Sequence, residues 1–139
     1  MTGNTTANPF VVVSTTLSFE QACSALEAAV VEHGFGLLGS HDLGHTLRSK
    51  GMHIDEQCRI YEVCQPQQAA RVLSRDMRLN MALPCRLSVY TEAGETKVGM
   101  ISPVAMLSGL SADPELHGVA VEVDTTTRAI IEAAAGHNA

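Results

Sequence analysis

The sequence predicts an α+β domain, with a single small, mostly antiparallel sheet of about five strands and helices packed on one face. Three observations carry this expectation. Short β-branched or alternating stretches are interleaved with helices that have clear start and stop signals. Glu92-Ala93-Gly94-Glu95 separates two such stretches as the turn of a hairpin, so at least one strand pair is antiparallel. At 139 residues and 45% apolar content, the chain suits one domain with one core. Aromatic residues make up only 4% and Trp is absent, so that core must be built from Leu, Val, Ile, Ala and Met.

Residues 1–8 read as a disordered tail and 9–136 as the domain. Phe10 to Thr16 is β-branched and predicts the first strand. Ser18 and Gln21 form a capping box that opens a helix burying Phe19, Ala22, Cys23, Leu26, Val30 and His33. Gly34 ends it. Phe35 to Ser40 is the second strand. Asp42 caps a short helix, Leu43 to Lys50, whose buried edge is Leu43 and Leu47 and whose stop is Gly51. Gln57 to Cys64 is the third strand, with Cys58, Ile60, Glu62 and Cys64 on one face and Arg59, Tyr61 and Val63 on the other.

Pro66 suits the first position of a helix running to Arg75 and burying Ala69, Ala70, Val72 and Leu73. Met77 to Leu83 fits an extended segment or a helical turn. Cys85 to Thr91 and Thr96 to Ile101 are the hairpin strands, with Cys85, Leu87 and Val89 sharing a face. Ser102-Pro103 breaks the second of them, and a short helical piece follows around Val104 to Leu107. Asp113-Pro114-Glu115 starts the last helix, which buries Leu116, Val119, Ala120, Val123, Ile130, Ile131 and Ala134. The order is β-α-β-α-β-α-β-β-α. A small sheet has free edges, so a homodimer is expected.

The net charge is −6 and the 9 basic residues are scattered, which excludes a nucleic-acid footprint and binding to an anionic membrane surface. No apolar run approaches the roughly 20 residues of a membrane span. The first nine residues lack a signal pattern, so the expected address is cytoplasmic. Four cysteines in such a chain read as reduced thiols rather than a disulfide framework.

Three segments carry a resemblance: Arg59-Ile60-Tyr61-Glu62-Val63-Cys64-Gln65-Pro66, Leu83-Pro84-Cys85-Arg86-Leu87-Ser88-Val89-Tyr90, and Ile101-Ser102-Pro103-Val104-Ala105-Met106-Leu107. Their order and spacing, with the helix ending Gly34-Phe35-Gly36, resemble the family known as domain of unknown function 302. The similarity covers about residues 10–135. It implies an α+β fold and a homodimer, and binding of haem or a metal in some members. Gln65 departs from the Asn usual at that place, and Cys58 and the histidines are additional.

Cys64 lies at a strand end just before a helix N-terminus, where backbone N–H groups favour thiolate. Cys85 could lie on an adjacent strand and face the same side. Two thiols so placed could ligate a soft metal, cycle through a disulfide or hold a sulfur species. The plainer reading, both thiols as apolar fillers of the core face, stands beside it. Cys23 reads as a core thiol. Among six histidines, His45 is the best single ligand, off the Leu43/Leu47 face of its helix, and His53 in the following loop is second. His33, His117 and His137 read as surface or helix-end residues. The methionines read as gap-fillers of a core poor in aromatics. No CxxC, CxxCH, HExxH, GxSxG, GxGxxG or Walker motif is present.

The leading expectation is therefore a small homodimeric module holding haem or a transition metal in a cleft between the His45 helix and the Cys64/Cys85 end of the sheet. A thiol-dependent redox or sulfur-transfer protein using Cys64 with Cys85 is the first alternative. A structural or partner-binding domain without cofactor is the second.

Overall fold

The core face of the sheet is written into alternate residues: Tyr61 and Val63, Leu87 and Val89, Val98 and Met100 are buried, with Val11 and Val13 packed against them. The computed structural model describes residues 8–136, so most of the expected N-terminal tail, and His137, lie outside the described residues. The elements are β1 (Phe10–Thr15), α1 (Phe19–Glu32), β2 (Gly36–Asp42), α2 (Leu43–Ser49), β3 (Cys58–Cys64), α3 (Pro66–Arg75), a 3-10 turn (Met77–Ala82), β4 (Cys85–Glu92), β5 (Glu95–Ile101), α4 (Pro103–Ser108) and α5 (Pro114–Ala134). The five strands form one sheet in the order β1-β5-β4-β3-β2. Every neighbouring pair is antiparallel. The expected architecture holds; the 3-10 turn falls in the segment that fitted an extended stretch or a helical turn, and α4 is the short helical piece expected after Ser102-Pro103.

Local chemistry explains most boundaries. The Ser18 hydroxyl accepts the Gln21 N–H at 3.1 Å, and the Gln21 side chain accepts the Ser18 N–H at 2.9 Å, so two amides at the start of α1 are satisfied reciprocally. Ala93 and Gly94, at φ 52° and 84°, make the two positive-φ positions of a tight hairpin turn between β4 and β5. The Glu56 carboxylate anchors that turn, accepting the Ala93 N–H at 3.1 Å and the Thr91 hydroxyl at 2.7 Å. Ser102 both ends β5 and caps α4, its hydroxyl accepting the Ala105 N–H at 3.1 Å.

α1 and α5 pack together over the core face. Phe19, Ala22, Cys23, Leu26, Ala29 and Val30 come from α1, and Ile130, Ile131 and Ala134 from the far half of α5. The near half of α5 buries Leu116, Val119 and Ala120 in a second cluster with Val72 of α3, Leu79 of the 3-10 turn and Leu107 of α4. α5 is thus common to both clusters. Its threonine run is held by packing and by back-bonding: buried Thr127 donates to the Val123 carbonyl at 2.8 Å.

Three burial expectations need correction. His33 is exposed, because it is the C-cap of α1, and its ring lies 2.7 Å from the Ala29 carbonyl oxygen. Leu43 is exposed and Leu47 only half-buried. The buried position of α2 is Gly44, beside which Arg48 donates to the Ile54 and Glu56 carbonyls at 3.2 Å. Ala70 is exposed, so α3 docks mainly through Val72. β2 also runs two residues further than expected, because Asp42 ends the strand and caps α2 at once, accepting the His45 N–H at 2.9 Å.

A buried carboxylate joins α4 to α5. Asp124 accepts the Ser102 hydroxyl at 2.6 Å, the Val104 N–H at 3.2 Å, and a close bond from Arg128 Nε. Burial alone would push this carboxyl up; bonds from Ser102, Arg128 and the Val104 amide outweigh it and hold the group below its ordinary value. The Asp124→Asn variant should lose about 1–3 kcal/mol at pH 7. The folded carboxyl titrates below its unfolded value of about 3.9, so the contribution is complete above that pH and disappears as pH falls through the folded value. Urea denaturation of both proteins at neutral and at acid pH should show the gap closing as pH falls.

Gly99 supplies a second check. A Cβ there would lie 3.0 Å from the Val11 carbonyl oxygen and 3.2 Å from Val12 Cγ2. Gly99→Ala should lower stability by about 1–3 kcal/mol, read as a fall in the thermal midpoint.

Candidate functional site

β3 delivers Cys64 to the start of α3. Gln65 caps that helix: its side-chain oxygen accepts the Gln68 N–H at 2.8 Å, and Pro66 occupies the first turn. Cys85 opens β4 directly after Leu83-Pro84, whose peptide bond is cis. The β3–β4 register sets Cys85 opposite Val63, and the β2–β3 register sets Cys64 opposite Gly36. Directly opposed residues share a face, so Cys85 belongs to the core face with Val63 and Cys64 alternates away from it. The expectation that both thiols face one side of the sheet is corrected on that ground. At the strand ends the two nevertheless line one cavity of about 270 Å³.

That cavity lies between the sheet end, α3, α4 and the near half of α5, with Phe35, Leu38, Val72, Leu83 and Met106 in its walls. Apart from the two thiols, Gln65 and Gln68 are the polar side chains that line it. Burial pushes the Cys85 thiol up to about 11, and the neighbouring Cys64 adds to the shift. Cys85 is therefore a neutral thiol near pH 7. Leu38 reaches the cavity because β2 is bulged: Leu37 pairs with Val63 and Gly39 with Glu62, leaving Leu38 unpaired and 61% exposed.

A second cavity, of about 450 Å³, adjoins the first and extends over the sheet face turned away from α1 and α5. Phe10, Val12, Ile60, Tyr90 and Ile101 line its apolar part, and Arg86 and Ser88 are polar residues on it. Cys85 and Met106 line both cavities.

The histidines fall elsewhere. His45 is exposed in the first turn of α2, beside Asp42, at the Arg59 end of β3, whereas Cys64 ends that strand. Five residues of strand separate the two ends, roughly 16 Å. The expected cleft between His45 and the thiols therefore does not form within one chain: antiparallel pairing of β2 with β3 sends α2 to the other end. His53 is exposed in the loop after α2, its Nε2 3.1 Å from Asp55. Among the described residues, no group of three or more His, Cys, Asp and Glu side chains is disposed to hold a metal ion. Cys58 is half-buried at the far end of β3, and Cys23 is buried in the core with its thiol pushed up by burial.

Arg59 and Tyr61 form a charged network on the core face that the pattern of residues alone does not announce. Arg59 packs over the Phe19 ring at 5.2 Å and donates to Glu20 at 3.3 Å and to Asp42 at 3.2 Å. The Tyr61 hydroxyl donates to Glu27 at 2.6 Å, and burial raises its pKa well above the ordinary phenol value. The available signal was the alternation itself, which puts Arg59 and Tyr61 in step with Val63. Every acidic partner comes from α1 or from Asp42, so the network braces α1 against the β2–β3 edge.

Comparison with known proteins agrees with this architecture. The family model described as "Domain of unknown function DUF302" matches residues 10–134. A solved structure described as an uncharacterized conserved protein DUF302 from Bacillus stearothermophilus is 34% identical, with a TM-score of 0.87, covering 92% of this chain and 99% of that one. No curated protein matches. Among the described residues, no helix is long and apolar enough to cross a membrane. On the family match over most of its length and on the likeness to that structure, the chain belongs to the DUF302 family.

Proposed function

We propose that this protein is a small homodimeric, cytoplasmic binding module that holds a small apolar or soft ligand in the cavity beside Cys64 and Cys85. One observation carries the reading: a lined apolar cavity at the strand-to-helix junction whose polar side chains are two thiols and two glutamines. Concave, mostly apolar pockets with a few convergent polar groups are the usual form of small-ligand sites. The four free cysteines suit a reducing compartment.

A soft transition metal would take Cys64 and Cys85 as ligands, with the Met106 thioether lining the same cavity. It would have to displace the proton that burial holds on Cys85. Haem is larger than the thiol cavity and would need both adjoining cavities, with Met106 turned aside. His45 or His53 could join such a site only from a second copy. A redox or sulfur-transfer role for Cys64 with Cys85 ranks below these, because the neutral Cys85 thiol is a poor nucleophile.

Titrating the purified protein separately with Cu(I), haem and an apolar fluorescent probe tests the reading. At least one should bind, and Ala69→Phe, which fills the cavity from α3, should weaken that binding by tenfold or more. A protein that binds none of them would overturn the proposal. Iodoacetamide at about pH 8 should modify Cys85 on the order of 100-fold more slowly than a free thiol of pKa about 8.5. Rapid alkylation of Cys85 would favour the redox reading instead.

A further inference from the structure

We propose that the second copy packs on the sheet face turned away from α1 and α5, over Phe10, Val12, Ile60, Tyr90 and Ile101. This deepens the homodimer reading by naming its surface.

Register places these residues together. Phe10 pairs with Ile101, Val12 with Gly99, Gly99 with Ser88, and Ser88 with Ile60. Opposed residues share a face, and Val11, Val13, Val98, Met100, Leu87 and Val89 point to the helices. Phe10, Val12 and Ile101 are 62%, 45% and 48% exposed. An antiparallel sheet with one solvated face alternates apolar-in with polar-out. β1 does not: Phe10-Val11-Val12-Val13 is apolar on both sides, the pattern of a strand covered twice.

Size favours a partner as broad as the sheet itself. Five strands of six to eight residues span roughly 24 Å by 20 Å, on the order of 500 Å² in projection and more in accessible surface. That approaches the ~800 Å² per partner of a standard stable interface. Charge favours a copy of the same chain. The polar part of the face carries both signs: Arg86 sits opposite Glu62 in register, with His41 3.4 Å from Glu62. Arg86 forms no ion pair with any described residue. A patch with a free guanidinium and a carboxylate side by side is complementary to itself under a two-fold operation, in which the same surface meets the same surface. A partner of one sign would leave one of the two opposed. The second copy would also close the cavity of about 450 Å³ that lies on this face.

Sedimentation velocity of the full chain at about 10 µM protomer tests this, since a homodimer depends on protomer concentration. Wild type and Val31→Lys, a control on the exposed side of α1, should be dimers. Val12→Lys with Ile101→Lys should be monomeric with an unchanged far-ultraviolet circular dichroism spectrum. If that double variant does not fold, Arg86→Glu, at an exposed position, should weaken the dimer by tenfold or more. A monomeric wild type overturns the proposal together with the homodimer reading. A dimer that survives both sets of substitutions overturns this face alone. Ligand binding by the monomeric variant reports separately on the Cys64/Cys85 cavity.

Discussion

Burial of one sheet face under two helices is the interaction on which the rest of the molecule depends. Tyr61, Val63, Leu87, Val89, Val98 and Met100 present a continuous apolar surface, and α1 and α5 cover it. Each such side chain is worth roughly 1.5–3 kcal/mol when fully removed from water, so this layer outweighs any single polar contact in the structure. Its geometry also sets everything near the cavity. α5 is 21 residues long, and only its far half is needed to cover the sheet. The near half projects beyond, and α3 and α4 close against it. The thiol cavity is the space left where these two packing units meet.

Polar groups in this fold serve mainly to join elements. Asp124 ties α4 to α5, Arg59 ties α1 to the β2–β3 edge, and Glu56 ties the loop after α2 to the β4–β5 turn. In each case a charged side chain meets amides, hydroxyls or an opposite charge from another element, which is the condition for a buried or half-buried charge to be tolerated. Cys64 and Cys85 have no such partners among the described residues. Their cavity is apolar, and burial there keeps the Cys85 thiol protonated, which suits a neutral ligand or a soft cation better than acid–base chemistry.

Much of the fold was legible in the residues because the signals were local. The Ser18/Gln21 box, Pro66 and Asp113-Pro114 mark helix starts through contacts spanning two or three positions, and Ala93-Gly94 marks the hairpin in the same way. The misreadings arose where one residue has two duties or where register decides. Asp42 both ends β2 and caps α2. Half-buried Arg59 was placed on the right face by alternation, but its partner Glu20 lies 39 residues away. Most of all, the separation of His45 from Cys64 follows from which end of β2 meets which end of β3. No short-range pattern encodes that.

The bulge at Leu38 has a consequence for how the protein can grow. A regular edge strand offers evenly spaced N–H and C=O groups to any incoming strand, and a bulge breaks that spacing. β2, the edge beside the thiol cavity, is therefore a poor template for another strand. Extending the sheet in its own plane is blocked on that side. Growth by stacking, one layer upon another, leaves the bulge undisturbed and the cavity mouth beside it unobstructed.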